Sequence, residues 1–221
     1  MPVSVFFFLS IHVLSMKILF QGDSITDCGR ISSGGAGYET NEVGPGYPGL
    51  IKSRLSLDYA EKDLTFINRG ISGNRIVDLY ARWRADCLNL EPDIISILIG
   101  VNDSWHEEKG NGVEPERAER IFRELLSWTR SKLPNARIIL LEPFIVPDSD
   151  KANLAPEVAI RAAYTKKLAR EFNLTFIPLQ QPIDEACKRA PSSHWSKDGV
   201  HPTPALHQLI ADEWLKAVLP L

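Results

Sequence analysis

The sequence predicts a single α/β domain in which a parallel β-sheet lies between two layers of helices. Two observations carry that expectation. Short apolar runs, too short for buried helices, recur along the chain and read as strands covered on both faces. Between them lie longer segments whose apolar residues return every three or four positions, the signature of helices with one buried face. Strands that alternate with helices join by right-handed parallel crossovers, which gives three layers. With 221 residues the chain suits one such domain and can bury a sizeable core.

Residues 1–15 form an apolar extension, and the domain is assigned to residues 16–221. Pro2 to Leu14 is too short to span a membrane as a helix, and it lacks the basic start and small-residue cleavage site of a signal peptide. Met16 opens the first strand directly, so a mis-assigned start is favoured over a cleaved or membrane-associated leader or a piece of ordered structure. A cytoplasmic protein is expected on that reading, and a secreted one if residues 1–15 belong to a leader. No stable membrane insertion is expected.

Lys17 to Phe20 is the first strand, and it stops abruptly at Gly22-Asp23-Ser24. Residues 29–46, rich in Gly and Ser, read as a mobile loop, either a substrate lid or a surface segment without a role. Tyr47 to Asp58 is a helix, and Leu64 to Asn68 a second strand ending at Gly70. Arg75 to Leu90 places Ile76, Leu79, Tyr80, Trp83, Cys87 and Leu90 at helical spacing, with Trp83 assigned to the core. Asp93 to Ile99 is a central strand that delivers Asn102 and Asp103 to the sheet edge, with Trp105 and His106 following on the same loop. Glu116 to Lys132 is a helix, ended by Pro134, and Ala136 to Leu141 the fourth strand. A loop over residues 142–153 leads to a helix from Pro156 to Phe172 and a short fifth strand from Leu174 to Pro178. One or two helical turns over 183–189 and a closing helix from Ala205 to Val218 complete the chain.

The chemistry sits in four polar stretches. Ser24 follows a strand, at the edge where ligands bind in open parallel sheets, but a hydroxyl is a poor nucleophile unless a base takes its proton. Asp198-Gly199-Val200-His201 can supply that base: a carboxylate three residues before an imidazole, on a loop bent by Gly199 and Pro202, can accept the Nδ1 proton and leave Nε2 facing a hydroxyl. The stretches ending in Gly70 and Asn102 each follow an apolar run and offer N–H groups to a developing oxyanion. Taken singly, each residue also fits a cap, a turn or a surface hydrogen bond.

Gly22-Asp23-Ser24, Gly70, Gly100-Val101-Asn102-Asp103 and Asp198-Gly199-Val200-His201, in this order, resemble the blocks of the SGNH hydrolases, a branch of the GDSL esterases and lipases. The resemblance spans roughly Met16 to Leu215. Within the family, the stretches 20–30, 70–74 and 81–83 are similar to the bacterial acetylxylan esterase-like subgroup. The resemblance implies a flavodoxin-like five-stranded sheet of order 2-1-3-4-5. It also implies a serine esterase, with Ser24, Asp198 and His201 catalytic and the oxyanion held by the N–H groups of Ser24 and Gly70 and by the Asn102 side chain. Asp23 is expected to brace the turn, and Trp105 to wall a substrate pocket or pack against a helix. O-acetylated sugars or xylo-oligosaccharides are the implied substrates, with a lysophospholipase or acyl-thioesterase as the alternative enzyme. A non-catalytic carbohydrate-binding domain is the alternative of another class. Neither metal nor organic cofactor is called for. Members acting on sugar esters often oligomerise, so the resemblance is compatible with a homo-oligomer.

Other chemistry fits less well. A formal charge of −3 with scattered Lys and Arg gives no nucleic-acid footprint. Cys28, Cys87 and Cys187 are odd in number and far apart, which argues against a disulfide framework. Cys28 shows no evident base in the sequence. Gly70-Ile71-Ser72-Gly73 narrowly misses the nucleophile elbow of α/β-hydrolases because position 74 is Asn. His194, His201 and His207 lack the spacing of a zinc motif, and the turn after the first strand lacks the dinucleotide-binding glycines.

Overall fold

The computed structural model describes residues 15–31 and 43–221. The expectations for residues 1–14 and for most of the 29–46 loop lie outside the described residues. Five strands, β1 (Ser15–Gly22), β2 (Asp63–Asn68), β3 (Ile94–Leu98), β4 (Arg137–Leu141) and β5 (Thr175–Ile177), form one sheet of order β2-β1-β3-β4-β5. Every pairing is parallel. The helices are α1 (Ser24–Asp27), α2 (Tyr47–Asp58), α3 (Ile76–Asp86), α4 (Val101–Trp105), α5 (Pro115–Lys132), α6 (Ala155–Glu171), α7 (Gln180–Cys187), α8 (Ser192–Trp195) and α9 (Pro204–Val218). The flavodoxin-like α/β sandwich and its strand order are as the resemblance implies.

The period of two along the strands divides the core. Ile18, Phe20, Ile94 and Leu98 face one side with Tyr47, Ile51 and Leu55 of α2 and Ile210 and Trp214 of α9. Leu19, Ile95, Ile97, Ile138 and Leu140 face the other with Leu79 and Trp83 of α3 and Phe122, Leu125 and Leu126 of α5. Trp83 is fully buried, as expected, and its Nε1 donates to Thr129 Oγ1 at 2.9 Å, which satisfies the indole where α3 meets α5. On the opposite face Trp214 Nε1 donates to Ser96 Oγ at 3.1 Å, which gives the polar residue of β3 its partner.

The differences from expectation are local. The 75–90 segment stops as an α-helix at Asp86 and continues as a 3-10 turn over Leu88–Leu90. Glu91 then turns to the left-handed φ of 49° and caps this turn, its N–H bonding the Leu88 carbonyl, just ahead of Pro92. Residues 101–105, read as loop, form α4, and the turns expected over 183–189 begin at Gln180 and end at Cys187. Short α8 was not anticipated, since four residues carry no period.

Candidate active site

The carboxyl ends of β1, β2 and β3 set three of the four polar stretches side by side. Gly22, the last residue of β1, admits no side chain, since a Cβ there would collide with the Leu98 carbonyl oxygen and the Thr26 hydroxyl. The chain therefore turns tightly into Asp23, whose carboxylate accepts the Ile25 N–H at 3.0 Å and caps α1. Ser24 opens that helix. Its hydroxyl meets the ring of His201, carried to it by the loop before α9, with Ser24 Oγ and His201 Nε2 2.9 Å apart. His201 Nδ1 lies 2.6 Å from Asp198 Oδ2.

The 196–203 loop holds this pair by internal hydrogen bonds. Asp198 Oδ1 accepts the N–H groups of Val200 at 2.9 Å and His201 at 2.8 Å, while Ser196 Oγ accepts from Gly199 N and donates to the His201 carbonyl. Gly199, at φ 93°, makes the bend, and its carbonyl accepts Val146 N–H at 2.9 Å, which ties the loop to the segment after β4. Partial burial alone would raise the Asp198 pKa. The hydrogen bonds from the His201 side chain and from the two backbone N–H groups outweigh it and hold the group at about 2. Asp198 is therefore charged at neutral pH and can balance an imidazolium.

Asn102, on α4, is buried, and its Nδ2 donates to the Asn74 carbonyl at 3.1 Å. Gly70 departs from expectation. Its N–H is given to Asn68 Oδ1 at 2.8 Å, so it is not available to an oxyanion, and a Cβ there would lie 2.5 Å from Asp27 N. The close approach to α1, rather than a donor role, is what requires glycine at that position. The rest of the loop accounts for its donors in turn: Ile71 N bonds Gly22 O, Ser72 N bonds Asp27 Oδ2, Asn74 N bonds Ile71 O, Arg75 N bonds Asp78 Oδ2 and Ile76 N bonds Asp103. From 70 to 76, Gly73 alone has an N–H without an acceptor among the described residues. It sits at φ 83°, one residue from the carbonyl that holds Asn102. Sequence reasoning missed it. Its positive φ, which reorients a single peptide, shows only in the folded loop.

Two buried carboxyls lie beneath. Asp23 is pushed up to about 7 by burial, with the Ile25 N–H and the nearby His201 acting against that rise. Asp103 rises to about 7 for the same main reason, although both its oxygens accept the Ile76 N–H. Trp105 stands at the rim, its ring 5.8 Å from that of His201, with Lys151 Nζ 5.0 Å from the indole centroid and Glu108 bonding Lys151 at 2.8 Å.

Cys28 has a neighbour the sequence did not reveal, since its Sγ lies 3.2 Å from His207 Nε2. His207 Nδ1 accepts the Tyr47 N–H at 3.2 Å, so the neutral ring carries its proton on Nε2 and presents a donor, not a base, to the sulfur. Burial lowers His207 to about 4 and raises the Cys28 thiol, which keeps both groups uncharged at neutral pH. Among the described residues no group of three or more His, Cys, Asp or Glu is placed to hold a metal ion, and no helix is long and apolar enough to cross a membrane.

Residues 20–209 match the GDSL-like lipase/acylhydrolase family model. An acetylxylan esterase from Geobacillus stearothermophilus is 33% identical over 207 residues, covering 91% of this chain and 93% of that protein. A protein described as a GDSL-like lipase from Parabacteroides merdae superposes with a TM-score of 0.86 at 42% identity, covering 91% of this chain and 94% of its own. The Geobacillus esterase, in a solved catalytic mutant with histidine replaced by alanine, superposes with a TM-score of 0.84 at 32% identity, covering 91% and 93%. Fold and relatives together define a carboxylic-ester hydrolase. The chain belongs to the GDSL-like lipase/acylhydrolase family.

Proposed function

We propose that this chain is a serine esterase that works through an acyl-enzyme and removes acetyl groups from O-acetylated sugars or xylo-oligosaccharides. The observation that carries the reading is the continuous chain from Ser24 Oγ to His201 Nε2 at 2.9 Å and from His201 Nδ1 to Asp198 at 2.6 Å. In this mechanism His201 takes the Ser24 proton as Oγ attacks the ester carbonyl carbon, and Asp198 compensates the imidazolium. The oxyanion is received by the N–H groups of Ser24 and Gly73 and by the Asn102 amide; Gly73 replaces Gly70 because its N–H is free and that of Gly70 is not. His201 then protonates the departing alcohol, and water, activated by the same imidazole, releases the acid and restores Ser24.

The sugar-ester assignment is supported by the similarity to the Geobacillus acetylxylan esterase and by the indole of Trp105 beside the catalytic ring, a flat surface of the kind on which a pyranose packs. A series of p-nitrophenyl esters from acetyl to palmitoyl, run beside acetylated xylo-oligosaccharides, tests it. Preference for acetyl and release of acetate from the oligosaccharide are expected. A maximum at long chains would replace the reading with a lysophospholipase or thioesterase. Stoichiometric organophosphate labelling that disappears in Ser24→Ala is expected of the nucleophile, and unlabelled, inactive, folded protein would leave only a binding domain.

A further inference from the structure

Beneath the oxyanion side of the site, one guanidinium joins segments that are remote in sequence. Arg82, on α3, donates from Nε to Asn74 Oδ1 at 2.8 Å and from Nη2 to the Gly22 carbonyl at 3.3 Å. Its Nη1 reaches Gln21 Oε1 at 3.0 Å and Asp86 Oδ2 at 3.1 Å. Gln21 is fully buried and returns an Nε2 hydrogen bond to the Asp86 carbonyl at 2.6 Å, while the Gly22 carbonyl also accepts Ile71 N–H at 3.1 Å. The arginine side chain is 15% exposed.

An Arg–Asp contact one turn apart on a helix is ordinary surface pairing. That account covers Asp86 but not the other acceptors, which belong to the end of β1 and to the 70–76 loop. Both of those segments lead straight to the chemistry. Gly22 precedes the Asp23-Ser24 turn, and Asn74 carries the carbonyl that accepts Asn102 Nδ2 and follows the free N–H of Gly73. Only a planar fork with five donors can hold acceptors in these directions at once.

We propose that Arg82 is a positioning residue for the oxyanion donors: it fixes the Gly73-Asn74 segment against the end of β1 so that the Gly73 N–H and the Asn102 amide stay in register with Ser24. This rests on the acyl-enzyme reading above. Donors aimed at a developing charge act in the transition state only while they are held in place, so slack in this segment lowers turnover rather than substrate binding.

The test is steady-state kinetics on p-nitrophenyl acetate with Arg82→Lys, Asn74→Ala and the combination of each with Asn102→Ala, beside thermal melting. Asn74→Ala removes the acceptor of Arg82 Nε but keeps the backbone carbonyl that Asn102 uses, so it decides the matter if Arg82→Lys folds poorly. Each single variant is expected to lower kcat by about 10-fold or more with KM within about twofold, and by a clearly smaller factor once Asn102 is already alanine, the remainder being the share carried by the Gly73 N–H. Wild-type kcat in Asn74→Ala, or equal losses in both backgrounds, would overturn the proposal. If Ser24→Ala and Asn102→Ala are as active as the wild type, the esterase mechanism itself is what fails.

Discussion

The two halves of the site are built in opposite ways. The histidine arm is open: the Asp198 and His201 side chains are 37% and 45% exposed, on a loop held by its own hydrogen bonds. The oxyanion arm is sunken, with Asn102, Asp103 and Asp23 all buried. A charge is tolerated where water and several donors solvate it, so Asp198 stays ionised down to about 2. Burial with few donors has the reverse effect, and Asp23 and Asp103 are held up at about 7. On the proposed mechanism the open side carries the carboxylate that stays charged at neutral pH and would stabilise an imidazolium, while the sunken side offers the Asn102 amide and backbone N–H groups, with its carboxyls titrating only near 7. A preorganised donor is most effective in the less solvated half.

The sharpest way to break this contrast is to take the charge out of the open arm. Asp198→Asn keeps the shape of the loop but offers an amide to His201 Nδ1, which favours the wrong tautomer and leaves the imidazolium uncompensated. A fall in kcat of about 10⁴-fold on p-nitrophenyl acetate is expected. A loss below tenfold would mean that Asp198 only braces the loop. On the sunken arm, Asn102→Ala removes one donor and should lower kcat by about 10²–10³-fold with little change in KM. A rise in KM with kcat preserved would make Asn102 a ground-state contact instead.

How far these arms could be read from the sequence follows the same division. Asp198 and His201 lie three residues apart on a glycine-bent loop, so their mutual contact is local and legible. Ser24 could be assigned because an apolar run ends beside it, and strand order came from family resemblance, since periodicity does not order strands. Gly70 could be named from its place after a strand, but whether its N–H is available depends on which N–H groups of the loop are already taken. Asn68 Oδ1, Gly22 O and Asp27 Oδ2 take those of Gly70, Ile71 and Ser72, and only the folded loop reveals that accounting. The His207 neighbour of Cys28, 179 residues away, was illegible for the same reason.

Stability provides a further probe of the sunken arm. In the unfolded chain Asp23 ionises near 3.8, while in the folded protein it keeps its proton to about 7. Between those values the native state binds more protons, so stability falls as pH rises from about 4 to 7 and levels off above. Asp23→Asn keeps an oxygen acceptor for Ile25 N–H and abolishes that dependence. Relative to wild type it should gain stability across this window, by an amount of order a few kcal/mol and at most about 4, as three pKa units imply. Asp103 is pushed the same way, in part by the Asp23 charge, so removing that charge relaxes Asp103 in the same direction and the measured difference reports the pair. Urea unfolding at pH 4.5 and pH 7.5 measures the difference. A constant offset between the two proteins would show that Asp23 ionises alike in the folded and unfolded chains.

The smallest expected effect is at the rim, where the open arm meets solvent. Trp105 reaches His201 through ring packing, and Lys151, held by Glu108, lies over the indole. Removing the indole takes away a surface for the alcohol part of the substrate but no donor, base or charge. Trp105→Ala should therefore leave kcat on p-nitrophenyl acetate within about threefold, while KM for an acetylated xylo-oligosaccharide rises by about 5–10-fold, the loss of one aromatic contact. The ratio of the two effects is the informative quantity. Equal losses on both substrates would mean that the ring serves to hold His201, which would make the open arm as dependent on packing as the sunken one.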